Sequence, residues 1–196
     1  LRAFTPRHPV LGNNEIAQRA HLPKPTVTRL TYTLTQLGYL NYSPESGKYS
    51  LSVGVLALGY SFLASQDIRA IARPLMQEFA DFSRATVCLA ARDQPHMVFL
   101  EVCQGNPTFQ MRLEVGARVP YGMTALGRAY HCGLPEAARA QMLEEHRKLG
   151  RKEDWEGFRA SFEKAVREFQ KHGFCVSLGE WNKDVYSVAV PLVSRD

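Results

Sequence analysis

The sequence predicts an α+β chain of two modules, and three observations carry that prediction. The first 51 residues hold two short, capped helical patterns followed by two strand-like runs about a turn. Residues 53–82 then read as two consecutive helical patterns. From Thr86 onward the apolar spacing changes from a helical to an extended period, and strands and helices alternate until Asp196. A length of 196 residues suits a small module joined to a medium one, each able to bury a core.

Leu1 to Phe4 reads as the last turn of a helix. Asn13-Asn14 is positioned to cap a helix running to Ala20, with Glu15 in the first turn where the helix dipole favours an acid. His21-Leu22-Pro23 interrupts it. Lys24-Pro25 opens a second helix, with Pro in the first turn where its missing N–H costs nothing, and Gly38 closes that helix after Leu37. Val27, Leu30, Leu34 and Leu37 form an apolar stripe at intervals of three and four, opposite Lys24, Thr26, Thr28, Arg29, Tyr32, Thr33 and Gln36. Tyr39–Tyr42 and Lys48–Leu51 read as two strands around the turn residues Ser43 to Gly47, a small wing.

Val53 to Ala64 is an apolar helix, suited to connect the modules or to self-associate. Asp67 to Phe82 is a second helix with Ile68, Ile71, Leu75, Phe79 and Phe82 on one side, and Pro74 inside it predicts a kink or break. Strands are expected at Thr86–Ala91, Met97–Cys103 and Thr108–Val115, separated by Asp93-Gln94-Pro95 and Gly105-Asn106-Pro107. Helices follow at about Met123–Cys132, Leu134–His146 and Asp154–His172, the last amphipathic and ended by Gly173. Two strands, Phe174–Leu178 and Val185–Val193, bring the chain to Asp196 with no clear end to the sheet, so the second domain is expected to be incomplete.

Charge is distributed unevenly. Residues 1–50 carry six Lys or Arg against Glu15 and Glu45, a net +4 of the whole chain's +5, which points to a polyanionic partner for the N-terminal module alone. Cys88, Cys103, Cys132 and Cys175 are too far apart for a zinc knuckle or a disulfide scaffold and read as reduced, mostly buried thiols. The longest apolar stretch, Val53 to Ala64, is too short to span a bilayer, and a cytoplasmic protein is expected.

A helix-turn-helix needs a small residue where its helices cross, a sharp turn, and apolar residues that fix the crossing angle. Ala17 supplies the first, Ile16 and Leu22 flank the turn, and Val27 and Leu30 pack from the second helix. His21 occupies the turn position that glycine often holds, a residue that tolerates positive φ at some cost. Lys24, Thr26, Thr28, Arg29 and Tyr32 then lie on the exposed side. There Arg29 suits a guanine edge, the threonines suit bases or phosphate, and Lys24 suits phosphate, with Lys48 in the wing as a further backbone contact.

These residues resemble the IclR family of bacterial transcriptional regulators. The matching stretches are Asn14-Glu15-Ile16-Ala17, Leu22 to Leu30, Leu37-Gly38-Tyr39-Leu40 and Gly47 to Leu51. Later come Val115 to Pro120, Thr124 to Ala129, Gly173-Phe174, Gly179-Glu180-Trp181 and Ser187 to Pro191. The resemblance implies a winged helix-turn-helix over residues 1–51, a linker helix over 52–66 and a GAF-like effector-binding domain over 67–196, assembled as a homodimer or homotetramer on an operator in double-stranded DNA. It places an effector pocket at Met111, Thr124, Ala125, Leu126, Ser177, Val185 and Ser187, and implies a further strand and a final helix beyond Asp196. The backbone amides of Thr124 to Gly127 open a helix and suit a carboxylate, so the expected effector is an organic acid, with Leu126 and Val185 leaning toward an aromatic one.

An enzyme is the main competing class. No G-x-S-x-G elbow, P-loop, H-E-x-x-H or G-x-G-x-x-G is present. Glu101, Glu114, Glu180 and Asp184 are acids able to pair or hold a metal, but acids scattered on strands and loops usually face solvent. No catalytic residue, metal or cofactor is therefore expected. An effector-free DNA-binding assembly protein stays open, and would need its second domain filled by its own side chains.

Overall fold

The computed structural model describes residues 1–105, 113–149 and 155–193, and divides into two compact units, Leu1–Asp67 and Ile68–Asp196. In the first unit β1 (Val10–Gly12), α1 (Asn13–Ala20), α2 (Lys24–Gln36), β2 (Leu40–Ser43), β3 (Lys48–Leu51) and α3 (Gly54–Ala64) follow in order. The hairpin β2–β3 is the expected wing, and β1 extends it to a three-stranded antiparallel sheet in the order β1-β3-β2. The sequence reading missed β1, three residues long and preceded by Pro9. Because β1 pairs through to Gly12, α1 starts directly from the strand with Gly12 as its N-cap. The expected Asn cap is replaced by the Gly12 N–H donating to Glu15 Oε2 at 2.7 Å. Leu1 to Phe4 forms a single turn closed by the Phe4 N–H on the Leu1 carbonyl at 3.2 Å.

Phe4, Leu11, Ile16, Ala17, Val27 and Leu40 form the core of this unit. The buried line of α2 differs from the expected leucine stripe: Val27 and Thr31 are buried and Leu34 packs partly, while Leu30 and Leu37 are exposed. A helix places i, i+4 and i+7 in line. Thr31 can join that line because its hydroxyl donates to the Val27 carbonyl at 2.9 Å and brings no unpaired polar group into the core. None of the residues of α3 is buried, and Leu56, Leu58, Tyr60 and Phe62 are all exposed.

The second unit begins with α4 (Asp67–Ser83), which continues through Pro74 without a break. A three-stranded antiparallel sheet of β4 (Thr86–Asp93), β5 (His96–Gln104) and β6 (Arg118–Pro120) follows in that order. The third strand was expected at Thr108–Val115. Residues 108–112 lie outside the described residues, 113–115 are loop and turn, and pairing with β5 is made by Arg118–Pro120 instead. Helices α5 (Ala125–Gly133), α6 (Glu136–Leu149) and α7 (Trp155–His172) lead to the antiparallel pair β7 (Cys175–Leu178) and β8 (Tyr186–Ala189). The last strand is shorter than expected because its four residues match the whole of β7, and Pro191 beyond it has no N–H for a ladder.

A bulge sets which way β5 faces. Leu89 pairs with Glu101 and Ala90 with Phe99, so Leu100 is the extra residue and the side-chain alternation is reset there. Met97 and Phe99 pack with Val119, Tyr121, Met142 and Phe162. Beyond the bulge, Glu101 and Cys103 meet α4: Glu101 binds Arg69 at 2.8 Å and also Arg73, and the Cys103 thiol donates to the Arg73 carbonyl. Helix α4 thus turns Arg69, Arg73 and Ala80 to the sheet and leaves Ile71, Leu75, Phe79 and Phe82 exposed.

In the core behind the sheet the Tyr121 ring stacks on Phe162, with centroids 5.1 Å apart, and its hydroxyl lies 3.3 Å from His131 Nδ1. Burial, with a smaller contribution from Arg139, lowers the His131 pKa from 6.5 to about 4, so the folded unit holds a neutral imidazole. The unfolded chain takes up a proton near pH 6.5 that the folded chain refuses, so this contribution to stability is intact above 6.5 and is lost progressively as pH falls toward 4. Urea unfolding midpoints measured from pH 7 to pH 5 are expected to fall, and His131→Asn is expected to flatten that decline; an equal decline in both proteins would contradict it.

Candidate functional site

The first candidate surface is the exposed side of α2. Lys24, Thr26, Thr28, Arg29 and Tyr32 are all exposed there, Tyr32 at 66%. Thr28 has a structural duty: its hydroxyl donates to the Lys24 carbonyl and accepts from Asn13 Nδ2, each at 3.1 Å, which ties α2 to the start of α1. His21, in the turn, adopts φ 51°, ψ 44°, the left-handed conformation that a glycine-type turn position requires, and the Leu22 N–H returns to the Ala17 carbonyl at 3.1 Å. Ala17 is buried at the helix crossing. In the wing, Gly47 at φ 64° closes the turn onto the Ser43 carbonyl, and Lys48 is exposed as the first residue of β3.

The second candidate is a cavity of about 340 Å³ in the second unit. Of the residues expected around a ligand, Thr124, Leu126, Val185 and Ser187 come together along its wall. Ala125 and Ser177 do not line it. Ala125 is fully buried against Ala129 and Ala165, and Ser177 donates to the Met123 carbonyl at 3.0 Å, holding the approach to α5. Met111 lies outside the described residues. Phe99, Leu113, Val119 and Trp181 complete an apolar wall, with Arg84 at the rim. Sequence reasoning missed these. Phe99 sits in a strand pattern that marks burial alone, Val119 lies beyond the strand expected at Thr108–Val115, and Arg84 follows the end of a helix without any motif.

Thr124 caps α5. Its hydroxyl donates to the Pro120 carbonyl at 2.8 Å and accepts the Gly127 N–H at 3.3 Å, so of the four amides expected for a carboxylate, that of Gly127 is already used. The amides of Ala125 and Leu126 are left as first-turn donors.

Elsewhere in this unit Arg128 joins three elements, binding Glu180 and the Val176 carbonyl at 2.7 Å and Ser161 Oγ at 3.0 Å. That guanidinium holds the Glu180 carboxyl below the usual range. Glu101 is not on a solvated face as expected but 3% exposed between two arginines. Among the described residues no three His, Cys, Asp or Glu side chains converge as a metal site. Cys132 and Cys175, 43 positions apart, bring their sulfurs to 3.7 Å in the core. No described helix is long and apolar enough to cross a membrane.

A winged helix-turn-helix followed by an α+β unit with a cavity of small-molecule size defines a class of DNA-binding proteins. The IclR helix-turn-helix domain matches residues 1–44, and the bacterial transcriptional regulator IclR C-terminal domain matches residues 60–196. The chain belongs to the IclR family of bacterial transcriptional regulators. It is 37% identical over 187 residues to the HTH-type transcriptional regulator TsaQ1/TsaQ2 of Comamonas testosteroni, covering 94% of this chain and 66% of that protein's length. A crystal structure of an IclR family transcriptional regulator from Brucella abortus is 46% identical and superposes with a TM-score of 0.90, covering 99% of this chain and 73% of that one. An IclR homologue from Microbacterium hydrocarbonoxydans, solved in complex with 4-hydroxybenzoate, shares the fold at 21% identity with a TM-score of 0.67, covering 99% of this chain and 80% of its own.

Proposed function

We propose that this chain reads an operator in double-stranded DNA through α2 and the wing, and that an organic acid in the second-unit cavity controls that binding. The observation that carries the reading is the pairing, in one chain, of an exposed Lys24, Thr26, Arg29 and Tyr32 face with an apolar cavity lined by Thr124, Leu126, Val185 and Ser187. The 4-hydroxybenzoate complex of the Microbacterium homologue supports an aromatic acid as the ligand class. In this reading residues 1–51 bind DNA, 52–66 link, and 67–196 sense the effector. The protein acts in the cytoplasm as a homodimer or homotetramer, to which the exposed apolar side chains of α3 contribute. A two-fold assembly presents paired reading helices to paired half-sites.

Thr28 holds α2 in place, so Arg29 carries the larger share of base reading. Arg29→Ala is expected to weaken binding to the protein's own promoter DNA by about 10- to 100-fold and to relax discrimination against altered half-sites. Lys48→Ala is expected to weaken binding evenly across sequences and to lower the salt slope by about one. Fluorescence anisotropy with promoter DNA at two salt concentrations measures both, and unchanged affinity in Arg29→Ala would overturn the reading.

A further inference from the structure

We infer that Arg84 selects an anionic head group for the second-unit cavity, an inference that rests on the effector reading above. Among the described residues, Arg84 is the only charged one lining that cavity. The remaining wall among the described residues is apolar or bears hydroxyls or a thiol, with Phe99, Leu113, Val119, Leu126 and Trp181 supplying its bulk and Ser187 a hydroxyl. An apolar chamber with a single cation at its rim fits an apolar body carrying one negative charge.

The backbone at Arg84 supports the assignment. It stands at φ 52°, in the left-handed region that an arginine occupies only at a cost. The turn enforces this. The Gly105 N–H donates to the Ala85 carbonyl at 3.1 Å, Thr86 pairs with Gln104, and a Cβ on Gly105 would lie 1.7 Å from the Ala80 carbonyl oxygen, so the end of α4 and the start of β4 are fixed on β5. A glycine would satisfy this geometry without strain. The chain instead has a long cationic side chain there, with no ion pair among the described residues. Arg69, Arg73, Arg92, Arg118 and Arg128 of the same unit each bind a carboxylate. Arg84 is exposed, so its guanidinium stays hydrated until a ligand arrives. The α5 amides offer dipoles to a head group, whereas Arg84 offers a full charge and a planar fork matched to a carboxylate.

The test uses the full-length protein and the fluorescence of Trp181, which lines the same cavity. Benzoate, 4-hydroxybenzoate and a series of short-chain carboxylates are titrated beside their uncharged amides. The wild-type protein is expected to favour a carboxylate over its amide by about tenfold or more. Arg84→Gln is expected to bring that ratio close to one while leaving amide binding within about twofold. Arg84→Gly removes the guanidinium and relaxes the backbone together, so it gives the same readout without risk to folding. A carboxylate preference unchanged in both variants overturns the role of Arg84 and leaves the effector reading standing. No binding of any acid in the series to the wild-type protein overturns both.

Discussion

Gly127→Ala is expected to prevent the second unit from folding stably, with a loss of about 3 kcal/mol or more. A Cβ built on Gly127 lies 1.8 Å from the Tyr121 carbonyl oxygen and 2.6 Å from its carbon. These are backbone atoms, so no rotamer change relieves the overlap. Tyr121 cannot retreat, being 1% exposed and stacked on Phe162 beside His131. Nor can α5, whose first turn is fixed by the Thr124 cap and whose Ala125 and Ala129 are packed into the core. Any shift that makes room moves Thr124 and Leu126, the side of the cavity that α5 provides. Both tryptophans, Trp155 and Trp181, are in this unit, so urea unfolding followed by tryptophan fluorescence reports on it alone. The first unit, with its own core of Leu11, Ile16, Ala17, Val27 and Leu40, is expected to keep its far-ultraviolet helical signal. A variant with the wild-type midpoint would show that the approach of α5 to Tyr121 is looser than described.

The elements that a short sequence window can specify were legible. Pro25 and Gly38 bracket α2 because each acts on its own backbone, and His21 stood out because a turn of this length needs a positive φ. The wing was equally plain from Ser43 to Gly47. What escaped depended on partners distant in sequence. β1 exists because β3 offers it an edge, not because Val10–Gly12 has a strong preference of its own. The buried face of α2 was misjudged because side-chain hydrophobicity ranks Leu30 above Thr31, while the packing direction and the Thr31 hydrogen bond to Val27 reverse that order. In the candidate cavity, Thr124, Leu126, Val185 and Ser187 followed from the family resemblance. Arg84 had no local signal, because its significance lies in the conformation of the turn and in the wall it joins.

The same dependence on distant partners governs Glu101, for which the alternation of β5 gives no warning. Only the bulge at Leu100 turns it onto α4, where it meets Arg69 and Arg73 from successive turns of one helix face. Glu101→Gln keeps the shape but removes the charge that two guanidiniums share. Arg73, 60% exposed, can turn to water, whereas Arg69, 22% exposed, loses a carboxylate partner at a partly buried position. A destabilisation of about 3 kcal/mol is expected, because a partly buried guanidinium gives up a carboxylate that is itself buried. If the Arg69–Glu101 pair is coupled, Arg69→Met added to Glu101→Leu should restore part of what Glu101→Leu alone removes, since an apolar pair of similar volume asks for no solvation. Urea unfolding of the two single variants and the double variant separates these terms. A double variant that loses the sum of the single losses would mean that Arg69 and Glu101 act independently.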